Sequence, residues 1–125
     1  MSSLSPAAPD QLTAAAVALL QDLIRTPSFS REEGPTADLL AAFLDRHGVP
    51  VQRQGHNVWA RNLHFAPAKP TILLNSHHDT VKPGAGWTHD PFGAVVEGDR
   101  LTGLGSNDAG ASAVSLLAAF LHFYP

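Results

Sequence analysis

The chain has 125 residues, 44% of them hydrophobic and 15% charged, which is typical of one modest globular domain. Its net charge of -3 at pH 7 gives no reason to expect a nucleic acid or an anionic membrane as a partner. Because cysteine is absent, disulfides and thiolate ligands are excluded, and any metal must be held by His, Asp or Glu.

Met1 to Pro9 contains Ser-Pro and Ala-Ala-Pro and is predicted to be a mobile tail, with the domain formed by residues 10–125. No basic residues precede an apolar segment here, so we do not expect a signal peptide. No later stretch is apolar over the length that a membrane span requires. We therefore expect a cytoplasmic protein.

The first predicted helix begins with Asp10 as N-cap and ends near Arg25, because Pro27 disfavours helix at the residue before it. Apolar residues at helical spacing predict a single buried stripe on this helix. The stripe consists of Leu12, Ala16, Leu19, Leu20, Leu23 and Ile24.

The second predicted helix starts at a capping box, in which Ser30 and Glu33 have the required spacing, and it stops at Gly48. Glu32 and Glu33 form an adjacent acidic pair. We interpret this pair as a helix start, where acids favour the helix dipole, and not as a catalytic pair. The predicted buried face consists of Ala37, Leu40, Ala41 and Leu44.

The rest of the chain is predicted to alternate short strands with one more helix. Strands are expected at 51–54, 58–63, 71–76, 94–97 and 100–102, and a helix at 109–123. A tight connection at 55–57 is expected to join the first two strands, and the last two are expected to form a hairpin that turns at Gly98-Asp99. The strand at 71–76 is apolar and is expected to be buried. The last helix is rich in small residues and is expected to pack closely on the sheet. A sheet with helices on both faces predicts a three-layer α/β architecture.

The polar residues that follow the central strand are candidates for a metal site. In an extended chain His77 and Asp79 point to the same side, and His78 points to the other. A carboxylate beside an imidazole fixes the tautomer and aims the other ring nitrogen at a metal. Asp108 lies in a glycine-rich turn before the last helix and can present its carboxylate there. Imidazole and carboxylate together suit zinc, cobalt or manganese better than calcium.

Each of these residues also has a purely structural interpretation. Taken singly, His77 is a hydrogen-bonded core histidine, Asp79 a turn residue and Asp108 an N-cap. A carboxylate that binds a metal can occupy an N-cap position, so the two interpretations of Asp108 are compatible. His78 receives no ligand role because strand geometry turns it away.

Three motifs occur in a specific order, at 76–81 (Ser-His-His-Asp-Thr-Val), 87–92 (Trp-Thr-His-Asp-Pro-Phe) and 103–108 (Gly-Leu-Gly-Ser-Asn-Asp). Together they resemble the N-terminal part of the M20 metallopeptidases, closest to acetylornithine deacetylase. The resemblance implies an incomplete zinc-peptidase-like domain and an amide hydrolase that removes an N-acyl group from an amino acid, as in arginine biosynthesis. It implies two Zn or Co ions per complete site, with His77 as a ligand, Asp108 as the bridging carboxylate, and Asp79 as the catalytic-site residue that orients His77.

The chain departs from that family where the proton-transfer residue is expected. The family has an adjacent Glu-Glu pair after the bridging aspartate and a last histidine near the far C-terminus. Here no glutamate follows Glu97, and Ala109-Gly110-Ala111-Ser112 comes directly after Asp108. We expect this chain alone to bind metal weakly, since a catalytic zinc generally keeps three protein ligands, and not to turn over substrate.

Several interpretations of function remain open. The expected substrate is an N-acylated amino acid, and self-association or a partner polypeptide would complete the domain. The chain is alternatively a non-catalytic homologue that acts as a binding or assembly module. It is also compatible with a related M20 enzyme, such as succinyl-diaminopimelate desuccinylase or a dipeptidase. A different α/β protein that shares only short motifs is the last possibility, against which the order of the three motifs argues.

Overall fold

The computed structural model describes residues 5–125 and contains three helices and two β-hairpins. The helices are α1 (Pro9–Arg25), α2 (Gly34–Arg46) and α3 (Ala111–His122). The strands are β1 (Gln52–Gln54), β2 (Asn57–Trp59), β3 (Val95–Glu97) and β4 (Arg100–Thr102). β1 pairs with β2 and β3 with β4, both antiparallel, in two separate two-stranded sheets. Both predicted hairpins are confirmed, although the strand predicted at 58–63 ends at Trp59.

α1 buries all six residues of its predicted stripe. Its N-cap is Ala8, and Pro9 occupies the first helical turn, so the prediction of Asp10 as N-cap is wrong. Proline suits the first turn because its missing N–H has no partner to lose there. Asp10 lies in the same turn, where its charge favours the helix dipole. Of the predicted tail, residues 1–4 lie outside the described residues, while Ala7 packs against the core.

α2 begins at Gly34 with Glu33 as its N-cap residue, and the predicted capping box does not form. The hydroxyl of Ser30 donates to Asp79 instead, and the Glu33 carboxylate accepts from the backbone N–H of Arg31 at 2.6 Å. Ser30 therefore serves a distant segment and not the helix end. The buried residues of α2 are Thr36, Ala37, Leu40, Phe43 and Leu44, whereas Ala41 is only half-buried.

The core lies where α1 packs against both α2 and α3. α3 was expected to pack on a sheet, but its main neighbour is α1. Gly110, just before α3, allows this approach, since a Cβ there would lie 2.6 Å from Leu20 Cδ1. The turn that carries Asp108 is thereby held against α1. Among the helices within residues 5–125, none has both the length and the apolar character that crossing a bilayer requires.

The predicted buried strand at 71–76 is wrong. Ile72 is 85% exposed and Leu73 83% exposed, and within the described part of the chain this segment pairs with no strand. A strand needs a neighbour for its backbone N–H and C=O groups, and residues 5–125 provide none here. For the same reason the expected three-layer sheet is not formed by the described residues.

Candidate metal centre

The segment that carries His77 is held by the loop between α1 and α2. Thr80 N–H donates to Ser28 O at 2.8 Å, and the buried Ser28 hydroxyl donates to His78 O at 2.8 Å. Ser30 Oγ then donates to Asp79 Oδ2 at 2.6 Å. These three hydrogen bonds fix the chain at residues 78–80, although its N-terminal continuation at 71–76 makes no strand pairing.

The structure brings together the three residues predicted to form the site. His77 Nδ1 lies 3.0 Å from Asp79 Oδ1 and 3.2 Å from the carbonyl oxygen of Asp79. On the other side of the ring, His77 Nε2 lies 3.0 Å from Asp108 Oδ1. With Nδ1–H donating to Asp79, Nε2 faces the Asp108 carboxylate. A ring nitrogen and a carboxylate oxygen at this distance require a proton or a cation between them.

Asp108 is presented by an irregular helical turn at Ser106–Gly110, in which the Asp108–Ala109 peptide bond is cis. The turn is closed by Gly110 N–H donating to Gly105 O at 2.8 Å. The N-cap of α3 is Gly110, so the alternative interpretation of Asp108 as the N-cap is wrong. Its side chain is 90% exposed, and its Oδ1 lies 3.0 Å from His77 Nε2.

The site opens into a shallow cleft of about 300 Å³. One wall carries His77, Asp79 and Thr80, and the other is the chain from Gly103 to Asp108. The hydroxyl of Thr80 is buried and finds no hydrogen-bond partner among the described residues. The cleft is polar at the point where the side chains of His77, Asp79 and Asp108 meet.

Imidazole and carboxylate are donors that divalent metals accept, but the described residues group too few of them here. Zn–N bonds of about 2.0–2.1 Å and Zn–O bonds of about 2.0–2.2 Å let two atoms 3.0 Å apart reach one ion. Yet within residues 5–125 no three His, Asp or Glu side chains are grouped closely enough to hold one. A catalytic zinc generally keeps three protein ligands, so His77 and Asp108 alone are too few to hold one.

Two features near the site were missed by sequence reasoning or given another role. Ser30 was interpreted as a helix cap, and its contact with Asp79 spans 49 residues, which no local spacing signals. His78 faces away from the site as predicted, and its ring nitrogens contact Thr36 Oγ1 and the carbonyl oxygen of His56. The sequence signal for the contact between His78 and Thr36 was a polar residue on the apolar face of α2, where Thr36 is buried.

Glu33 has a structural role, but not the one expected from the sequence: its carboxylate pairs with His56 and makes no cap hydrogen bond to α2. Glu33 Oε2 lies 2.7 Å from His56 Nδ1, and this hydrogen bond is the main reason why the pKa of Glu33 is lowered to about 2. The backbone N–H of Arg31 lowers it further. Glu33 is thus an ionised partner of His56, held at the start of α2.

No protein-family model matches the chain. It is similar to several curated proteins named succinyl-diaminopimelate desuccinylase. It is 39% identical to one from Methylobacterium nodulans over 122 residues, which cover 89% of this chain and 30% of the relative. For Gluconobacter oxydans the identity is 37%, with 82% and 28% covered. For Dinoroseobacter shibae it is 41%, with 86% and 30% covered.

The chain thus spans about 30% of the length of the curated relatives that it matches. The names of these relatives support the M20 resemblance carried by the three motifs. They do not support acetylornithine deacetylase in particular, because all three are named as desuccinylases. The desuccinylase was among the alternatives that the sequence left open.

Proposed function

We propose that this chain is part of an M20-type, metal-dependent amide hydrolase that removes a succinyl group from N-succinyl-diaminopimelate. The observation that carries the proposal is His77, whose ring contacts Asp79 on one side and Asp108 on the other. The similarity to desuccinylases over most of the chain supports the choice of substrate. The proposal keeps the expected role in amino-acid biosynthesis and the cytoplasmic location, and it replaces acetylornithine as substrate.

In the complete site, His77 Nε2 and the Asp108 carboxylate would be among the groups that hold the proposed pair of metal ions. Zn²⁺ or Co²⁺ suits a nitrogen and a carboxylate donor. Such an ion, when bound, polarises the scissile carbonyl and makes a nearby water more acidic. The fit rests on the 3.0 Å separation of the two donor atoms and on their exposure to the cleft.

The chain's own residues prepare this site without a metal. Asp79 accepts the Nδ1–H of His77 and so leaves Nε2 directed at the cleft. Ser30 donates to the other oxygen of Asp79, which keeps the carboxylate from rotating away from His77. Asp79 is therefore proposed as a residue that orients the ligand.

The residue that moves the proton is proposed to lie outside this sequence. Within residues 5–125 the cleft is lined by no glutamate; of its two carboxylates, Asp79 is assigned to orienting His77 and Asp108 to the metal. The chain matches less than a third of its relatives. We therefore propose that further polypeptide supplies a general base and at least one more ligand.

The exposed apolar segment at 71–74 is the proposed place where that polypeptide attaches. Ile72 and Leu73 are exposed, and the described chain supplies no strand beside them. An extended, unpaired apolar segment is a template for strand addition. A second copy of this chain is the competing occupant, and it would give a dimer without desuccinylase activity.

The test is complementation. The chain is mixed with the part of the Methylobacterium nodulans relative that it does not match, and hydrolysis of N-succinyl-diaminopimelate is measured with Zn²⁺ or Co²⁺. We expect activity in the mixture and none from the chain alone. His77→Ala should abolish it, while His47→Ala, whose ring is hydrogen-bonded to the backbone carbonyl oxygen of Phe43, should not. Binding of the two polypeptides without activity would favour the non-catalytic assembly module instead.

A further inference from the structure

His78 connects three parts of the chain on the side opposite the candidate metal centre. Its Nδ1 lies 2.8 Å from Thr36 Oγ1 on α2, and its Nε2 lies 3.0 Å from the carbonyl oxygen of His56 in the β1–β2 turn. Its backbone carbonyl accepts from Ser28 Oγ at 2.8 Å. The ring is therefore held by partners at both nitrogens.

The partners determine which nitrogen of His78 carries the proton. The carbonyl oxygen of His56 can only accept, so Nε2 must be the donor. Thr36 has one hydroxyl proton and two acceptors within reach, His78 Nδ1 at 2.8 Å and Glu33 O at 3.1 Å. If the proton goes to the nearer acceptor, His78 is the neutral Nε2–H tautomer. If the Thr36 hydroxyl donated to Glu33 O instead, both ring nitrogens of His78 would have to carry a proton. The resulting charged imidazolium would lie against the fully buried Thr36, which is unfavourable.

The two partners of His78 are themselves tied together. Glu33, three residues before Thr36 on the chain, pairs with the ring of His56 at 2.7 Å. The start of α2, the β1–β2 turn and the His78 ring thus form a closed set of hydrogen bonds. A closed set resists rotation of any one member more than separate contacts do.

We infer that His78 is a positioning residue for His77, and this inference rests on the proposed function of His77 as a metal ligand. Neighbouring side chains of an extended segment point to opposite sides, so a fixed His78 ring fixes the direction of His77 and Asp79. His78 does not line the cleft of about 300 Å³. It acts through the backbone that it shares with His77.

The test uses Thr36, because its hydroxyl can be removed with little change of shape. In Thr36→Val the hydrogen bond to His78 Nδ1 is lost, and in Thr36→Ser it is kept. The first measurement is the two-bond ¹H–¹⁵N spectrum of the histidine rings in the metal-free chain. We expect the wild type and Thr36→Ser to show His78 as the Nε2–H tautomer. Thr36→Val should lose that signature and also shift the ring signals of His77.

The second measurement is Co²⁺ binding, followed through the ring signals of His77. Thr36→Val should weaken binding by about 10-fold, as changes around the ligands of metal sites typically do, and Thr36→Ser by less than about twofold. Should Thr36→Val fail to fold, His78→Gln is the second variant, and it should show the same displacement of the His77 signals. Circular dichroism confirms that each variant is folded.

The outcomes separate this inference from the proposed function. If Co²⁺ leaves the His77 signals of the wild type unchanged, the proposed metal site is wrong. The metal-free spectra then still test whether His78 orients His77. If Thr36→Val and His78→Gln fold and leave the His77 ring signals as in the wild type, the positioning role is overturned. The role is also overturned if Thr36→Val binds Co²⁺ as tightly as Thr36→Ser.

Discussion

Ser30 donates a 2.6 Å hydrogen bond to Asp79, across 49 residues of sequence. The bond joins the loop before α2 to the segment that carries His77. Because the other carboxylate oxygen of Asp79 faces His77 Nδ1, Ser30 is linked to the imidazole through a single carboxylate. Such chains of hydrogen bonds orient metal ligands in proteins.

Removing the Ser30 hydroxyl should therefore weaken metal binding and leave the fold intact. Ser30→Ala is expected to lower Co²⁺ affinity by about 10-fold, because Asp79 then loses one of its two partners. Since Ser30 is exposed, the free energy of unfolding should change by less than about 0.5 kcal/mol. Titration with Co²⁺ and urea unfolding test both statements, and Ser30→Thr, which keeps the hydroxyl, is the control. Unchanged affinity in Ser30→Ala would show that Asp79 is held by other means.

The Glu33–His56 pair predicts a specific pH dependence. Glu33 should titrate near pH 2, and His56→Ala should return its pKa towards 4.5, because the hydrogen bond from His56 is the largest cause of the shift. A carboxyl group whose pKa is lower in the folded than in the unfolded state stabilises the fold at pH values above its unfolded-state pKa. This contribution is thus present above about pH 4.5 and is lost as the pH falls towards 2.

Carboxyl chemical shifts followed from pH 7 to pH 1.5 measure the pKa directly, and urea unfolding over the same range measures the stability. His56→Ala should show a smaller loss of stability across that window than the wild type. His47→Ala is the matched control, because its ring contacts the backbone carbonyl oxygen of Phe43 and not a carboxylate. A Glu33 pKa that stays near 2 in His56→Ala would contradict the assignment of the cause.

Alanine substitutions at two glycines with left-handed backbone separate the cost of backbone strain from the cost of a steric clash. Gly105 has φ 76° and a Cβ there would lie 2.6 Å from Thr80 Cγ2, whereas Gly98 has φ 62° and open space around it. Gly98→Ala should cost about 1 kcal/mol of stability through backbone conformation alone. Gly105→Ala should cost about 2–3 kcal/mol, because Thr80 must also move. Urea unfolding measures both, and equal costs would show that the contact with Thr80 relaxes freely.

Local patterns in the sequence predict the helices and hairpins well. The stripe of α1 and the turn at Gly98-Asp99 depend on neighbours within a few residues, and both are found as predicted. The strand at 71–76 fails because its burial depends on neighbouring strands that residues 5–125 do not contain. An apolar run predicts that a segment prefers burial, but it does not supply the partner.

The candidate site shows the same division between local and distant information. The period of two predicts that His77 and Asp79 share a side and that His78 points away, and the contacts agree. The Ser30 contact with Asp79 depends on how the loop before α2 folds back, which no spacing encodes. The role of the site residues in metal binding remains a prediction.

The exposed segment at 71–74 should matter for association and not for the stability of the isolated chain. Ile72→Ser removes an apolar side chain that is 85% exposed, so the unfolding free energy should change by less than about 0.5 kcal/mol. If further polypeptide pairs with this segment, Ile72→Ser should lower the affinity of the chain for that polypeptide. Sedimentation of the chain with the part of the Methylobacterium nodulans relative that it does not match measures this affinity. Val17→Ser, at a 41% exposed position on α1, is the control. Equal affinities of the two variants would place the attachment elsewhere.

Asp108 offers the clearest separation of a metal ligand from a structural residue. If its carboxylate capped α3, Asp108→Ala would cost about 1 kcal/mol of stability. Because Gly110 is the N-cap and the Asp108 side chain is 90% exposed, we expect a change below about 0.5 kcal/mol. Co²⁺ binding at His77 should nevertheless be lost in Asp108→Ala and also in Asp108→Asn, which keeps the shape but removes the charge. Asp99→Ala, at an exposed turn, is the control that should bind Co²⁺ like the wild type. If Asp108→Asn still bound Co²⁺, the Asp108 carboxylate would not be a ligand, and other groups would have to hold the metal.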